Sequence, residues 1–272
     1  MDEPEALGRG EPSRAIRILV PALIGCLFLG FWEFAVRHFA VSKFVLPPPS
    51  SVALALFDDF GSLLGSLWNT LRVTIEAFFL ALVLGFVFAV LFTRSKLIEL
   101  SLFPYAVVLQ VTPIVSIAPL IIIWVGLDHV ETALLILATI VAFFPILSNT
   151  TMGLKSADHN LRNLFDLYRA NRWQRLTELE FPSALPYLLA GMKISGGLAL
   201  IGAVVAEFVA GSGSGTGLAW RIIESGNRLN ISRMFAALLL LSLLGVSIFF
   251  LLSAIEGWFL RDWHESAAPR EN

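Results

Sequence analysis

The 272-residue sequence contains little charge and only one cysteine. Asp, Glu, Lys and Arg make up 15% of its residues, compared with roughly 25% in soluble domains, whereas 57% are hydrophobic. This composition predicts an integral membrane protein, and no segment has the composition of a second, soluble domain. Cys26 alone provides neither a disulfide framework nor a cysteine metal cluster.

Several sequence patterns are also missing. The net charge of -2 and the lack of a basic stripe argue against a nucleic-acid-binding protein. The histidines lack the i, i+4 spacing of a helical metal site, so we expect no metal: they are His38, His129, His159 and His264. No G-x-x-x-x-G-K-[ST] loop is present, and the run "GSGSGTG" at 211–217 contains no lysine to reach a phosphate. We therefore expect that this chain binds no cofactor, and we interpret the glycine run as an external turn.

Six segments are long and apolar enough to span a bilayer, which takes roughly 20 residues as a helix. They are residues 16–36, 71–92, 100–125, 131–147, 185–210 and 234–260. The first could be the core of a signal peptide, but it is longer than such cores and no A-x-A cleavage site follows, so we interpret it as an uncleaved span. We thus predict an all-α fold with an N-terminal tail at 1–15, a first span at 16–36, an external loop at 37–70, a core at 71–260 and a tail at 261–272.

Lysine and arginine in the loops predict the orientation, because positively charged loops stay in the cytoplasm. With the N-terminus inside, the inner loops and tails carry twelve such residues and the outer ones carry five. Both termini are therefore predicted to be cytoplasmic, in the plasma membrane. The external loop should contain a short interfacial helix at 50–59, after three prolines.

The longest inner loop, at 148–184, is predicted to be helical rather than disordered. Asp158 is placed to cap a helix that begins at His159, and apolar residues recur at helical spacing after it. A second short helix, at about 173–180, should end before Pro182, because proline lacks the amide hydrogen and clashes with the preceding turn. The alternative is a solvated connector that lies on the lipid headgroups.

This loop resembles the cytoplasmic coupling loop of binding-protein-dependent ABC importer permeases. The family signature runs E-A-A, three residues, G, nine residues, I-x-L-P, and its last part corresponds to Leu179, Glu180, Phe181 and Pro182. The first part departs from the signature: Asn163, Leu164 and Phe165 occupy the E-A-A positions and Arg169 the glycine position. Asn171, which tolerates left-handed backbone angles, is expected to form the turn in place of that glycine.

The resemblance extends over most of the chain. The segments that carry it are "VLPPPSSV", "SLWNTLRVTIEAFFLALVLGF", "VTPIVSIAPLIIIWVGL", "AFFPILSNTTMGL" and "PSALPYLLAGMKISGGLALIGAVVAEFVAGSGSGTGL". They are most similar to permeases for nitrate, sulfonate, taurine and pyrimidine precursors. The resemblance implies a type I importer permease of six spans, acting as a homodimer with cytoplasmic ABC ATPase subunits that hydrolyse ATP and an external substrate-binding protein.

The resemblance also suggests roles for particular residues. Arg169, Arg172 and Arg175 are candidates to pair with acidic groups of the ATPase, with Trp173 and Leu176 as apolar anchors. The run at 211–217 is a candidate lip for the binding protein. Within the third span, Pro113 and Pro119 free backbone carbonyls that need protein or water as partners. Thr112 and Ser116, four residues apart, are candidates to line the pathway; alternatively, their hydroxyls bond back to the helix at a kink.

Charged residues inside spans are costly and mark functional or paired positions. Arg72 and Glu76 are spaced to form a structural ion pair on one helix face. Glu207 is a candidate gate or dimer-contact residue near the outer end of the fifth span. The small residues of "AGMKISGGLALIGAVVA" permit close helix approach, either within the chain or between two chains.

Two other classes of protein are alternatives to an ATP-driven importer. An ATP-independent transporter or channel needs coupling-ion chemistry, but the carboxylates inside or near the spans form no obvious relay: they are Glu33, Glu76, Glu207 and Glu256. A membrane enzyme needs a convergent nucleophile, base and oxyanion site, which the sequence does not show. The sequence therefore favours a permease subunit that moves a small organic solute.

Overall fold

The computed structural model describes residues 14–210 and 217–261. Within them the helices are α1 (Arg14–His38), α2 (Pro49–Asp58), α3 (Phe60–Arg94), α4 (Lys96–Val111), α5 (Ile114–Val125), α6 (Val130–Lys155), α7 (His159–Leu167), α8 (Arg172–Arg175), α9 (Phe181–Ala210), α10 (Leu218–Asn227) and α11 (Ile231–Leu260). The predicted glycine-run turn lies at 211–217, of which only Gly217 is among the described residues, and most of both tails lies outside them.

Five helical runs are long and apolar enough to cross a membrane, or six crossings result if the bent pair α4 and α5 forms one span. The predicted all-α, multi-pass membrane fold is confirmed. We call the end of the bundle that carries α7 and α8 the inner end, and the end that carries α10 the outer end. The predicted interfacial helix corresponds to α2, which starts at the third of three consecutive prolines.

The prediction of one continuous third span at 100–125 is wrong. The chain bends by 105° between α4 and α5. Thr112 has an extended backbone, with φ -68° and ψ 125°, because the ring of Pro113 disfavours helical geometry in the residue before it. Thr112 and Ser116 consequently do not share a helix face, contrary to the prediction from their spacing.

The fourth span is longer than predicted. It ends at Lys155 rather than near residue 147, so the first eight residues of the predicted inner loop are helical. Polar side chains in this part bond to carbonyls of their own helix: Asn149 Nδ2 donates to Pro145 O at 2.8 Å, and Thr151 Oγ1 to Leu147 O at 2.7 Å. Because their polar groups are satisfied internally, these residues continue the helix.

The helix predicted to end before Pro182 also continues. α8, a π-helical turn at Leu176–Glu180 and α9 form one helical run of 39 residues, Arg172–Ala210, which we call the long helix. The wider π turn ends at Glu180, two positions before Pro182, and leaves room for the proline ring. Ser183 Oγ donates to Leu179 O at 2.8 Å and adds a bond within the same turn.

The centre of the bundle consists of α3, α6 and α9, and glycine brings α6 and α9 close together. A Cβ atom on Gly202 would lie 2.8 Å from Ala138 Cα, and one on Gly153 would lie 2.8 Å from Ala184 Cα. Ser195 Oγ donates to Ala142 O at 2.7 Å in the same contact. The small-residue run thus packs within the chain, the first of the two alternatives for it.

Replacement of Gly202 by alanine should destabilise the bundle, because the new methyl group would push α9 away from α6. Overpacking of this kind costs about 1–3 kcal/mol, so the thermal unfolding midpoint of the solubilised protein should fall. Gly197→Ala, in the same helix, is the matched control, since a Cβ atom there has no atom within 4 Å. Equal midpoints for the two variants would contradict this packing.

Candidate functional site

The inner end of the bundle carries a short, well-capped helix followed by a tight elbow. Asp158 Oδ1 accepts hydrogen bonds from the amides of Asn160 at 2.7 Å and Leu161 at 3.3 Å, which is the predicted cap of α7. Large apolar side chains on α7, at the elbow and on α8 are between 44% and 78% exposed: they are Leu161, Leu164, Leu167, Tyr168 and Trp173. We call these exposed apolar residues the inner apolar face. Charged residues surround it, and exposed apolar patches with a polar rim are typical of interaction sites.

The elbow between α7 and α8 places a left-handed residue at the signature's glycine position. Arg169 has φ +54°, whereas Asn171 has φ -73° and ψ 168°, so the expectation that Asn171 forms the turn is wrong. The amide of Ala170 donates to Phe165 O at 2.9 Å, a bond typical of a helix that ends in a left-handed residue. Asn171 instead starts α8 through a capping box with Gln174.

The predicted signature residues differ in their exposure to solvent. Asn163, Leu164, Arg172 and Trp173 are exposed, whereas Leu179 is buried beneath the elbow. Phe165 and Pro182 are partly buried. Leu176, predicted as an exposed anchor, is buried in a cluster that also contains Phe92, Leu147 and Leu154, so that prediction is wrong.

Charged side chains tie the elbow to the core helices. Arg94 Nη2, at the end of α3, lies 3.0 Å from Glu180 Oε2 in the π turn and donates to Arg172 O at 3.1 Å. Arg162 Nη2 donates to Lys155 O at 2.9 Å and so satisfies a carbonyl at the end of α6. These contacts join α7, α8 and the π turn to the inner ends of α3 and α6.

At the outer end, Glu207 is buried and holds three elements together. Its Oε1 accepts from Thr70 Oγ1 of α3 at 2.7 Å, and its Oε2 accepts from the amide of Ala219 in α10 at 3.0 Å. Thr70 Oγ1 in turn accepts from the amide of Leu218 at 2.9 Å. We call these residues the outer latch. Because Glu207 is only 2% exposed, the alternative that it contacts a second chain is wrong.

A small polar cavity of about 30 Å³ lies beside the outer latch. Arg72 and Glu76, which line it, form the ion pair that their spacing predicts, with Nε and Oε1 2.8 Å apart. Asn69, Glu131 and Glu207 are also at its wall.

Further along α10, the guanidinium of Arg221 donates to Glu224 at 2.7 Å and holds the pKa of that carboxyl below its ordinary value.

The pathway candidates lie at the bend between α4 and α5. Thr112 Oγ1 donates to Val108 O at 2.6 Å, which matches the alternative that this hydroxyl bonds back to its own helix. Pro113 is the N-cap residue of α5, and Ser116 and Pro119 are exposed on that helix.

Sequence reasoning missed four ion pairs between distant residues of the described chain. Three of them are Arg94 with Glu180, Lys155 with Glu99 and Arg233 with Asp59. The fourth joins Lys193 of α9 to Glu256 of α11, with Nζ and Oε2 2.5 Å apart. A sequence separation of 63 residues gives no local signal for such a pair.

The fold and the inner elbow together define a multi-pass transport protein. Residues 81–261 match the family described as binding-protein-dependent transport system inner membrane component, so the chain belongs to this family of ABC importer permeases. The resemblance drawn from the sequence motifs is confirmed.

Individual relatives match over most of their length. A probable ABC transporter permease protein of Haemophilus influenzae is 30% identical over 239 residues, covering 86% of this chain and 94% of the relative. A riboflavin transport system permease protein of Chloroflexus aurantiacus is 33% identical over 88% of each chain. A putative aliphatic sulfonates transport permease protein of Bacillus subtilis is 30% identical over 84% of this chain and 80% of the relative.

Replacement of Arg169 by glycine should stabilise the elbow relative to replacement by alanine. Both variants remove the same charge, but only glycine adopts φ +54° without a steric cost of about 1 kcal/mol. Amides of the elbow should therefore exchange about fivefold more slowly with deuterium in Arg169→Gly than in Arg169→Ala. Assembly should be intact, and transport-coupled ATPase activity preserved or raised. Equal exchange in the two variants, or loss of assembly in Arg169→Gly, would refute this account of the glycine position.

Proposed function

We propose that two copies of this chain form the translocation pathway of an importer driven by separate ABC ATPase subunits. The observation that carries this proposal is the inner apolar face, presented on two short helices that are fixed to the core. ATP is hydrolysed by the partner subunits, and this chain binds no cofactor. An external binding protein delivers the solute to the outer end.

The ATPase binds the inner apolar face. Trp173 is 71% exposed and Tyr168 is 78% exposed, so each offers a large side chain to a partner's groove. Aromatic residues of this kind dominate the binding energy at protein interfaces. A cavity of about 280 Å³ between α7 and α8, lined by Leu164, Phe165 and Tyr168 among others, receives a side chain from the ATPase.

Movement of the ATPase reaches the outer end through the long helix. Trp173 lies in its first turn and Glu207 near its last, so the two are joined by about 50 Å of helix at 1.5 Å per residue. A displacement of α8 therefore moves the outer latch. In the outward-facing state, α10 and α3 separate around Glu207 and admit solute; Glu207 is thus a gate residue. Binding of ATP drives this change through its higher affinity for one of the two states.

Two copies are needed to enclose a pathway. Ser116 and Pro119 are exposed in a single chain, and we place them, with Thr112 and Pro113, at the wall between the copies. The excess of Lys and Arg at the inner end supports a cytoplasmic location of both termini in the plasma membrane.

The substrate is a small organic solute. Relatives are named for riboflavin, aliphatic sulfonates, formylaminopyrimidine, nitrate and taurine, which supports a solute of the sulfonate, nitrate, taurine or pyrimidine-precursor type. The carboxylates considered for an ATP-independent transporter are engaged elsewhere: Glu33 with Arg37, Glu76 with Arg72 and Glu256 with Lys193.

Replacement of Trp173 by alanine should release the ATPase from the permease. Removing an exposed aromatic anchor at an interface costs about 2 kcal/mol or more, so the amount of P-loop ATPase that copurifies from gently solubilised membranes should fall at least about tenfold. Trp68→Ala is the matched control, since Trp68 is 63% exposed but lies on the outer half of α3. Undiminished ATPase in the Trp173→Ala preparation would overturn the proposed docking surface.

A further inference from the structure

A cavity lined largely by arginine lies at the inner end, on the side of the elbow facing α3. Its volume is about 470 Å³. Four guanidinium groups and one carboxylate line it, together with Thr93 and Ala170: the charged residues are Arg94, Arg162, Arg172, Arg175 and Glu180. It is separate from the apolar cavity between α7 and α8, whose walls share only Ala170 with it.

The arginines are held in place by their neighbours. Arg94 forms an ion pair with Glu180 and donates a hydrogen bond to the carbonyl of Arg172, and Arg175 is paired with Asp166. Arg162 donates through Nη2 to Leu154 O and Lys155 O. Its Nε is buried and has no hydrogen-bond partner among the described residues. These contacts fix three of the four guanidinium groups at the cavity wall.

The charge of the cavity wall indicates which kind of ligand it binds. Four guanidinium groups and one carboxylate line it, so the wall carries a net positive charge that attracts an anion. Guanidinium groups match the oxygen atoms of phosphate with paired, charge-assisted hydrogen bonds. A phosphate group carries enough charge and enough acceptors to serve more than one arginine, and it is much smaller than the cavity.

We propose that this cavity binds a phosphate group, supplied either by free phosphate or by the headgroup of an anionic phospholipid. The bound group joins the end of α3 to α7 and α8 through Arg94, Arg162, Arg172 and Arg175. Its binding does not depend on the ATPase. An occupied cavity stiffens the elbow and so adjusts its coupling to the ATPase. This consequence rests on the proposed function.

The test uses the full-length chain, without ATPase, in nanodiscs of phosphatidylcholine alone or with phosphatidylglycerol added. Inorganic phosphate is titrated against chloride at equal ionic strength, and the thermal unfolding midpoint is followed. The informative variant is Arg172→Gln, because Arg172 is exposed and its side chain is not part of the packed core. Arg172→Lys keeps the charge, and Arg169→Gln removes an equal charge from a residue outside the cavity wall.

A free-phosphate site predicts that phosphate stabilises the protein in phosphatidylcholine alone. Arg172→Gln should then weaken the affinity for phosphate at least about tenfold, Arg172→Lys should restore part of it, and Arg169→Gln should leave it unchanged. The same pattern of variants seen only with phosphatidylglycerol would establish a lipid-headgroup site. No stabilisation by either, or equal loss in Arg172→Gln and Arg169→Gln, would overturn the proposal and leave the arginines as contacts for acidic residues of the ATPase. Because ATPase is absent, that result would leave the proposed function untouched.

Discussion

The close contact between α6 and α9 is the constraint on which the rest of the structure depends. Glycine and serine along this seam bring the two backbones together, and Ser195 adds a hydrogen bond across it. In a bilayer, where lipid is as apolar as the helices themselves, association relies on such close packing rather than on the hydrophobic effect. The inner elbow connects these same two helices, so both of its ends emerge from the most tightly packed part of the molecule.

The inner elbow and the outer end of the bundle are joined by one continuous helix. The π turn at Leu176–Glu180 lets the chain pass Pro182 without ending the helix, so α8 and α9 form one continuous element. Arg94 joins the same turn to α3 through Glu180. At the far end, α9 and α3 meet again through Glu207 and Thr70. The two helices are thus connected at both ends.

Features that depend on neighbouring residues were predictable from the sequence. The apolar spans, the Asp158 cap and the Arg72–Glu76 pair all follow from local spacing. Where two local tendencies compete, the sequence alone does not show which conformation the chain adopts. Proline breaks the third span at Pro113 but is accommodated at Pro182, and the difference is the π turn, which has no sequence signal. Arg169 adopts a left-handed conformation that usually favours glycine because the helix-end hydrogen bonds require it there.

Contacts between distant parts of the chain could not be predicted, since a single sequence does not indicate which charges meet. The sequence singles out Glu207 because it is a carboxylate near the end of a span. Its partners, Thr70 and the first turn of α10, required the tertiary structure. The same holds for Arg94 with Glu180 and for Lys193 with Glu256, where each residue taken alone looks like an ordinary charge near the membrane surface.

The central claim is that the long helix moves as one rigid element. Its most direct test is the distance between spin labels at Thr177 and Phe208, which are joined by about 45 Å of helix, in the transporter with its ATPase subunits. Labelled chain is diluted with unlabelled chain so that pairs within one chain dominate. The account predicts one narrow distance distribution with the same mean without nucleotide and with ATP. A shift of several ångströms, or a second population on addition of ATP, would show that the helix bends between the two labels and would contradict the rigid-element claim.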